Sequence, residues 1–378
     1  MRILFVATCS PMPPMNGVNI PVRALLKCLS EHNEVTFATF ATIDSEVVAS
    51  ELGVEVVLLP KATMLEQQLR MVPRGIAPYF SDKARQILTQ IRSDLVIGHR
   101  LHCAYATSTH TALRRLIVQD VISAKVEQYS SANRFLTGLA KSWYHKVETH
   151  FFSSFEKLYV VSDSEAEILN RHALPADCEV VVAPNGVEVW PQIDSKSNDS
   201  ATIGYFGRLD SNRNRAALVR LIDLLRRSEL IDLGLCLRVV GGGGTEQLRS
   251  DLSKEKWIDY IGESNSPEKE LADVIAIVNP QQVASGMKNS VIEPMSSGIV
   301  AIVSPPISDG LGTTDKENII VADSDADFVS AISESLKNRE LFAHIGLAGR
   351  QFVNDRFSWD RYASLLLESI TKQSVAEG

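Results

Sequence analysis

Residues 284–304, ASGMKNSVIEPMSSGIVAIVS, run from a glycine-containing turn through a short amphipathic stretch into a run of apolar residues. The apolar residues of the first part recur at helical spacing, and the run after Gly298 has the length of a buried strand. Lys288 stands at the start of the predicted helix, and Glu293 follows five residues later. A cation opposes the dipole at a helix N-terminus, so its presence there makes sense if an anion is bound. The stretch therefore predicts a helix–strand unit with an anion site at its mouth.

The same alternation of short apolar runs and longer amphipathic stretches continues along the chain. It is typical of βαβ units, in which a parallel sheet is covered by helices on both faces. We therefore predict an α/β protein. The predicted strands lie at residues 2–8, 34–40, 54–60, 94–99, 115–120, 157–162, 179–184, 201–207, 236–242, 258–262, 273–280, 299–304 and 318–322.

The alternation breaks once, at residues 185–200, where the sequence is polar, rich in turn formers and without a period. This break predicts two tandem domains, each a doubly wound, Rossmann-like sheet. We place the N-terminal domain at 1–190 and the second at 195–352, with a last helical segment, 353–378, that packs back on the first domain. Ligands of such sheets bind beyond the carboxyl ends of the strands, so the cleft between the domains is the predicted site.

Composition limits the class of protein. The chain has 378 residues, 45% hydrophobic and 22% charged, which is typical of a globular protein with two cores. Its net charge of −8 disfavours non-specific binding of nucleic acid. The five cysteines are scattered and include no CxxC pair, so neither a zinc knot nor a disulfide framework is indicated, which suits a reducing cytoplasm. No apolar run has the length of a membrane span.

Glycines follow two of the predicted strands. Residues 241–244 are all glycine, but Glu246 occupies the last position of a G-x-G-x-x-G fingerprint, so dinucleotide-dependent hydride transfer is disfavoured. These glycines form either a flexible turn or a direct contact with a substrate. Gly17 precedes the first helix after the first strand, where its amide can approach a phosphate or an acceptor.

The segment SVIEPMSSGIVAIVS, residues 290–304, resembles the donor-binding helix of the GT-B glycosyltransferases, and of family 4 in particular. The GMKN run at 286–289 is similar to a subgroup found in polysaccharide assembly. The resemblance covers nearly the whole chain. It implies the GT-B fold and the transfer of a hexosyl group from a nucleotide-diphosphate sugar. The other segments that resemble the family, in the expected order, are 11–39, 180–190, 205–222, 237–244 and 357–367.

The resemblance implies a donor site in the second domain. Lys288, Arg208 and Arg213 would clamp the pyrophosphate, and Glu293 would accept both hydroxyls of a ribose. Such cations remove the strict need for a metal, and no DxD triplet with an apolar approach occurs, so we predict no metal and no cofactor besides the donor. Without the resemblance, a surface Lys and a surface Glu on a core helix would be the favoured interpretation. The predicted donor residues are Arg208, Arg213, Gly262, Gly286, Met287, Lys288, Asn289 and Glu293.

Candidate catalytic residues stand at strand ends in the first domain. Asp120 follows a strand where the family usually carries His or His-Asp. It is predicted to be a general base or to hold a sugar hydroxyl, and an N-cap for the helix near Ser123 is an equal alternative. His99 is the second catalytic candidate. His102 and Gly17 are predicted to contact the acceptor or a phosphate.

Two positions depart from the family pattern. Ser285 stands eight residues before Glu293, where the family usually carries another Glu, so retention or inversion of configuration is left open. Gln119-Asp120 replaces the usual His at its strand end. Glu148 is a further acidic candidate, which a solvated helix face explains equally well.

Two alternative functions fit the same fold: a nucleotide-sugar epimerase, and a non-catalytic donor-binding partner of another transferase. For a transferase, the acceptor would be a glycan, a lipid-linked molecule or a small molecule. Residues 61–75 combine apolar side chains with Lys61, Arg70 and Arg74, which suits an anionic membrane surface, although we favour an ordinary core helix. The predicted location is the cytoplasm, with peripheral contact at the inner face of the membrane as an option.

Overall fold

The structure is a computed structural model of the 378-residue chain. It describes residues 1–13, 18–70, 72–119, 121–124, 134–193, 201–282 and 287–368. The chain divides into two compact units. The first contains Met1–Gly186 and the segment that begins at Trp359, and the second is Val187–Ser358. None of the described helices is long and apolar enough to cross a lipid bilayer.

The first unit is built on a seven-stranded parallel sheet with the order β3-β2-β1-β4-β5-β6-β7. Its strands are β1 (Arg2–Ala7), β2 (Glu34–Thr39), β3 (Glu55–Leu58), β4 (Leu95–His99), β5 (Leu113–Ile117), β6 (Lys157–Val160) and β7 (Glu179–Val182). Its helices, apart from one at the end of the chain, are α1 (Asn19–Ser30), α2 (Ser45–Leu52), α3 (Met64–Leu69), α4 (Asp82–Gln90), α5 (Leu101–Thr107), α6 (Arg134–Phe152) and α7 (Asp163–Leu169).

Both faces of this sheet are buried. Phe5 of β1 pairs with Phe37 on one side and Ile97 on the other, and none of the three is exposed. Phe5 and the adjacent Leu4 point to opposite faces and belong to two different hydrophobic clusters. A strand that is covered on both faces reads as a continuous apolar run, as this one does.

The second unit is built on a six-stranded parallel sheet with the order β10-β9-β8-β11-β12-β13. Its strands are β8 (Thr202–Phe206), β9 (Cys236–Val240), β10 (Ile258–Gly262), β11 (Ala276–Asn279), β12 (Val300–Val303) and β13 (Ile320–Val321). Its helices are α8 (Asn212–Arg226), α9 (Glu246–Lys254), α10 (Pro267–Glu270), α11 (Asn289–Ser296), α12 (Pro305–Leu311), α13 (Asp325–Lys337) and α14 (Arg339–Phe357). Ile302 and Val303 of β12 again pack in different clusters, so this sheet is also covered on both faces.

The predicted α/β fold with two doubly wound sheets is confirmed, and every predicted strand is present within a few residues of its predicted bounds. Strand order reverses between β1 and β4 in the first sheet and between β8 and β11 in the second. Loops that leave the carboxyl ends of the strands diverge at such a point and open a crevice for ligands. Each unit therefore has one place where a site is expected.

The second unit begins and ends a few residues outside the predicted domain of 195–352. Val187 and Ser358 pair as an isolated β-bridge, and the N–H of Val187 donates to the carbonyl of Phe357 at 2.8 Å. Trp190 is buried in the same unit, where its backbone N–H donates to the hydroxyl of Ser296 at 2.8 Å. These contacts join residues that are far apart in sequence, so the polar composition of 185–200 does not indicate them.

The last described helix, α15 (Trp359–Leu367), belongs to the first unit, where its apolar face joins the core of the sheet. Arg115 of β5 is only 3% exposed and binds the C-terminal carbonyls of this helix. Its guanidinium donates to the carbonyl of Leu366 and, at 2.6 Å, to that of Glu368. The hydroxyl of Tyr159 donates to a third carbonyl of the helix at 3.0 Å. A buried cation thus stabilises the C-terminal end of the helix.

We expect Arg115→Met to lower the stability of the protein by about 3 kcal/mol, because the buried carbonyls would lose a charged donor and gain no new partner. Thermal unfolding should show a melting temperature several degrees lower. Arg361→Met is the matched control, since Arg361 lies on the same helix and its ion pair with Glu368 is exposed. The control should change stability by about 0.5 kcal/mol or less. Equal melting temperatures for the two variants would contradict the stabilising role of Arg115.

Candidate functional site

Three chain segments meet at the carboxyl ends of β8, β9 and β10. The N–H of Gly207 donates to the carbonyl of Val240 at 3.0 Å, and the N–H of Gly241 donates to the carbonyl of Gly262 at 2.7 Å. A Cβ atom on Gly241 would lie only 2.0 Å from the carbonyl oxygen of Gly207. Gly241 also has a φ of +155°, a conformation that favours glycine. Backbone packing therefore requires a glycine at this turn.

Replacing Gly241 with alanine should destabilise the second unit by about 3 kcal/mol or more, because the methyl group would overlap the backbone of Gly207. Gly234→Ala is the control variant, because it measures the cost of backbone strain without a steric overlap. Gly234 has a φ of +88°, but no atom lies within 4 Å of the position of its Cβ. The strain alone should cost about 1–2 kcal/mol. Thermal unfolding of both variants is the measurement, and equal losses would show that the close approach is unimportant.

A pocket of about 500 Å³ opens where these strand ends meet the N-terminus of α11. Its volume lies within the usual range of small-molecule sites. Lys288 is the N-cap residue of α11, and none of the described side chains caps the first N–H groups of the helix. These N–H groups and the Lys288 ammonium together present positive charge to the pocket. The lining residues are Phe206, Gly207, Arg208, Asn214, Gly241, Gly242, Glu263, Ser264, Pro267, Met287, Lys288, Asn289, Ser290 and Glu293.

The electrostatics of the pocket are those of a site prepared for an ionic ligand. The pKa of the Glu293 carboxyl is raised to about 7, mainly by burial and then by the charge of Glu188, while a hydrogen bond with Asn289 acts in the opposite direction. Burial lowers the pKa of the Lys288 ammonium, and the positive charge of Arg213 lowers it further. Neither Lys288 nor Glu293 forms an ion pair with a residue that the structure describes. Such uncompensated groups cluster at functional sites.

Two arginines lie at or near the pocket. Arg208 is at its rim, with 71% of its side chain exposed and an ion pair to Asp210 at 2.6 Å. The side-chain amide of Asn214 donates to the carbonyl of Arg208 at 2.9 Å, which holds the loop after β8 against α8. Arg213 stands on the first turn of α8 and lines a neighbouring pocket of about 480 Å³ with Arg220.

Five of the predicted donor residues line the pocket: Arg208, Met287, Lys288, Asn289 and Glu293. Arg213 does not line it, and it acts on the pocket through its charge near Lys288. Gly262 does not line it either. Its carbonyl accepts the hydrogen bond from Gly241, and the next residue, Glu263, lines the pocket instead.

Sequence reasoning missed four polar residues of the pocket: Asn214, Glu263, Ser264 and Ser290. A signal was present for two of them. Glu263 directly follows the last residue of β10, and in parallel sheets such positions surround the ligand. Asn214 lies in the first turn of the helix that follows β8. Glu263 lies outside the segments that resemble the family, and Asn214, although it lies within 205–222, was not assigned a role by the resemblance.

The two candidate histidines of the first unit are buried. His99 ends β4 with no exposed surface, and neither of its ring nitrogens has a hydrogen-bond partner among the described residues. Burial, followed by the charge of Arg100, lowers the pKa of His99 to about 3 and that of His102 to about 4. An imidazole with so low a pKa is a weak proton acceptor at neutral pH. The structure therefore disfavours His99 as a general base, and its contribution to catalysis as a neutral group stays a prediction.

Glu148 is not the solvated helix residue that one interpretation of the sequence allowed. Its carboxylate has no exposed surface, accepts a hydrogen bond from the N–H of Ser123 at 3.2 Å and pairs with His172 at 3.3 Å. Glu148 thus accepts from the N–H of Ser123, near the start of the helix for which the sequence offered Asp120 as an N-cap. Three predicted residues, Asp120, Gly17 and Gly286, lie outside the described residues. Among those described, no group of three or more His, Cys, Asp or Glu side chains is arranged to hold a metal ion.

Comparison of the sequence with protein families gives two matches. Residues 15–190 match glycosyltransferase family 4, and residues 200–338 match the glycosyl transferases group 1. The two matches cover both units and leave out only their connection and the chain ends. The chain belongs to the group 1 glycosyltransferases. It is thus an enzyme with the GT-B architecture that the resemblance implied. A comparison with curated proteins gives no significant match.

Solved GT-B structures share the fold of this glycosyltransferase over its whole length. HepE from Anabaena, crystallised with UDP, superposes with a TM-score of 0.69 at 14% identity, over 98% of this chain and 100% of that one. Sucrose-phosphate synthase from Thermosynechococcus elongatus has a TM-score of 0.64 at 15% identity, with 100% of each chain covered. The lipopolysaccharide outer core galactosyltransferase WaaB has a TM-score of 0.62 at 14% identity, over 99% of this chain and 100% of that one. At these identities the likeness establishes the fold alone.

Proposed function

We propose that this glycosyltransferase transfers a hexosyl group from a nucleotide-diphosphate sugar bound at the N-terminus of α11, and that it needs no metal ion. One observation carries the proposal. Lys288, the uncapped N–H groups of α11 and the carboxyl of Glu293 all meet in one pocket at the strand ends of the second unit. A cationic end and an acidic end in one pocket match a ligand with a diphosphate at one end and a ribose at the other.

The cationic end would bind the pyrophosphate. The half-buried Lys288 ammonium gives up little hydration when it meets a phosphate oxygen, because burial has already removed part of its water. Arg208 at the rim adds a second cation. When the bond from the sugar C1 to the phosphate oxygen breaks, negative charge grows on the departing nucleoside diphosphate. Fixed positive groups that meet this charge lower the barrier, and they take the part that a divalent cation has in other transferases.

The acidic end would bind the ribose. A carboxylate accepts hydrogen bonds from both ribose hydroxyls when it is ionised. The pKa of Glu293, raised to about 7, means that the free protein holds this group partly protonated at neutral pH. Two hydroxyl donors favour the charged form, so binding of the nucleotide should release a proton from Glu293.

The acceptor would be a hydroxyl of a glycan, a lipid-linked molecule or a small molecule, on an enzyme that contacts a membrane peripherally. As the new bond to C1 forms, the proton of this hydroxyl must pass to a base. Asp120, three residues after the end of β5 in the sequence, is the group that we propose for this step. His99 would remain neutral and serve as a hydrogen-bonding group.

A thermal-shift panel of nucleoside diphosphates and nucleotide sugars, with and without EDTA, tests the proposal. Uridine compounds come first, since HepE was crystallised with UDP and with UDP-glucose. A ligand at about a hundred times its dissociation constant should add about 2.7 kcal/mol of stability. We expect a rise that is selective for one base and unchanged by EDTA. A rise that disappears with EDTA would refute metal independence, and a flat panel would refute the donor site.

Nucleotide release with and without an acceptor completes the test. Transfer requires that free nucleoside diphosphate accumulates faster when an acceptor hydroxyl is added. An epimerase of the same fold would convert the donor sugar with no acceptor present, and analysis of the recovered sugar would reveal this. A protein that binds the donor but never releases nucleotide with any acceptor would be the non-catalytic partner.

A further inference from the structure

The short helix α3 exposes most of the surface of its apolar residues. None of its six residues is buried. Met64 is 78% exposed, Leu65 is 65% exposed and Leu69 is 74% exposed. The interpretation of this segment as an ordinary core helix is therefore wrong. Large apolar side chains that cluster on a protein surface often mark an interaction site.

This helix is held firmly in place although its apolar side chains have no core beneath them. Thr63 and Glu66 form a reciprocal capping box, in which the carboxylate of Glu66 accepts from the N–H of Thr63 at 2.6 Å. The same carboxylate accepts from the N–H of Asp82 at 3.2 Å, which ties α3 to the start of α4. A helix of this length is not stable alone, so these contacts keep three apolar side chains directed at solvent.

The charge around α3 is positive in a protein that is otherwise acidic. Residues 61–92 contain six Lys or Arg and two Asp or Glu, whereas the whole chain has a net charge of −8. The two acids are engaged, Glu66 in the capping box and Asp82 with Arg70 at 2.7 Å. Lys61 and Arg74 are exposed and form no ion pair with any described residue. The exposed apolar residues are thus flanked in the sequence by two cations that form no described ion pair, of which Lys61 lies 5.8 Å from the centre of the Tyr79 ring.

A second helix, α6, contacts the segment that follows α3. The hydroxyl of Tyr144 on α6 lies 3.6 Å from the position that a Cβ on Gly75 would have, so α6 runs beside the segment that follows α3. Leu139 and Trp143, four residues apart on α6, are 55% and 42% exposed. Tryptophan is enriched where proteins meet the interface of a lipid bilayer.

We propose that α3, with Lys61 and Arg74, is a docking surface for an anionic lipid bilayer. Leucine and methionine would enter the boundary between headgroups and acyl chains, and the two cations would bind lipid phosphates. An acidic protein is repelled by an anionic membrane unless such a basic surface faces it, and this charge complementarity, together with the exposed apolar side chains, favours a membrane as the partner. The inference gives residues to the membrane contact proposed above, and it does not depend on the donor site.

Co-sedimentation with vesicles tests the surface. We expect the full-length protein to bind vesicles of phosphatidylcholine with phosphatidylglycerol and to bind phosphatidylcholine alone at least tenfold more weakly. The double variant Leu65→Ser/Leu69→Ser and the charge-reversal variant Lys61→Glu/Arg74→Glu should each lose about tenfold in partitioning. Leu233→Ser is the matched control, since Leu233 is 73% exposed but lies in the second unit, and it should bind as the wild type does.

Several outcomes would overturn the proposal. The first is equal binding to both kinds of vesicle, and the second is a charge-reversal variant that binds as well as the wild type. The third is self-association that depends on concentration and disappears in Leu65→Ser/Leu69→Ser, which would make the surface a contact between copies. The thermal shift caused by the nucleotide should be unchanged in these variants. If the wild type binds anionic vesicles as expected but shows no thermal shift with any nucleotide, the proposed donor site is refuted and the proposed membrane surface is supported.

Discussion

Replacing Lys288 with alanine is expected to weaken the binding of a nucleoside diphosphate by about a hundredfold, because hydrogen bonds to a charged group contribute about 1.5–3 kcal/mol. The ammonium is half-buried at the N-cap of α11, and no other lysine of the described part of the chain lines the pocket. Turnover should fall by more than binding, since the charge on the pyrophosphate grows in the transition state. Isothermal titration with the diphosphate, followed by measurement of nucleotide release, gives both quantities.

The nucleoside without phosphates is the internal control for this experiment. It should bind the Lys288→Ala variant as it binds the wild type, because it has no group that reaches the ammonium. Arg213→Ala is the matched variant, since Arg213 lines the neighbouring pocket and should affect the diphosphate by only a few-fold through its charge. If diphosphate and nucleoside lose affinity equally in Lys288→Ala, the pyrophosphate site has been assigned to the wrong residue.

Replacing Glu293 with glutamine should make the protein more stable and its nucleotide binding weaker. The pKa of Glu293 is about 7 in the folded protein against an ordinary value of 4.5. The folded state therefore binds more protons than the unfolded state between these values, and wild-type stability falls as pH rises through that window. Glutamine is neutral at every pH and avoids this loss. Its advantage should be small near pH 5 and reach about 3 kcal/mol above pH 8.

Thermal unfolding across this pH range, paired with nucleotide titration, measures both effects. We expect the melting temperature of the variant to exceed that of the wild type by several degrees at high pH. Nucleotide affinity should fall about tenfold, because a glutamine oxygen replaces a charged acceptor of two hydroxyls. Glu188→Gln is the control, since it removes one cause of the raised pKa and leaves Glu293 in place. A variant that binds nucleotide like the wild type would refute the ribose contact.

The stability of Glu293→Gln also distinguishes a functional carboxyl from a structural one. When a carboxylate stabilises the fold through an ion pair, replacing it with a neutral group lowers the stability of the protein. Glu293 has no ion pair with any described residue, so the protein retains a buried acid that costs stability. Proteins retain such groups where a ligand supplies the missing partner.

Local patterns were sufficient for the secondary structure and for part of the pocket lining at the N-terminus of α11. Strands such as β1 could be predicted because they are short apolar runs covered on both faces, as Phe5 and its neighbours show. Lys288 and Glu293 could be singled out because Lys288 is the N-cap residue of one short helix and Glu293 lies within it, so both belong to the same local segment. The resemblance to a family then favoured the pocket over an ordinary surface helix.

Burial of single side chains could not be predicted in this way. Glu148 has the same local surroundings in sequence as a solvated helix residue, yet Ser123 and His172 enclose it from other parts of the chain. Met64 and Leu69 lie in a segment with the composition of a core helix, yet both are exposed among the residues that the structure describes. Whether a side chain is covered depends on elements that are distant in sequence, and no local period contains that information.

The amino-acid sequence determined the two α/β units, the order of their strands along the chain and the helix that carries the cation and the acid, because these follow from the spacing of apolar residues and from glycine positions. The tertiary structure alone decided which residues meet. It brought Glu263 and Asn214 into the pocket at the N-terminus of α11, left Arg213 out of its lining and raised the pKa of Glu293 to about 7. The physical reason is that contact and desolvation arise between elements that only folding brings together.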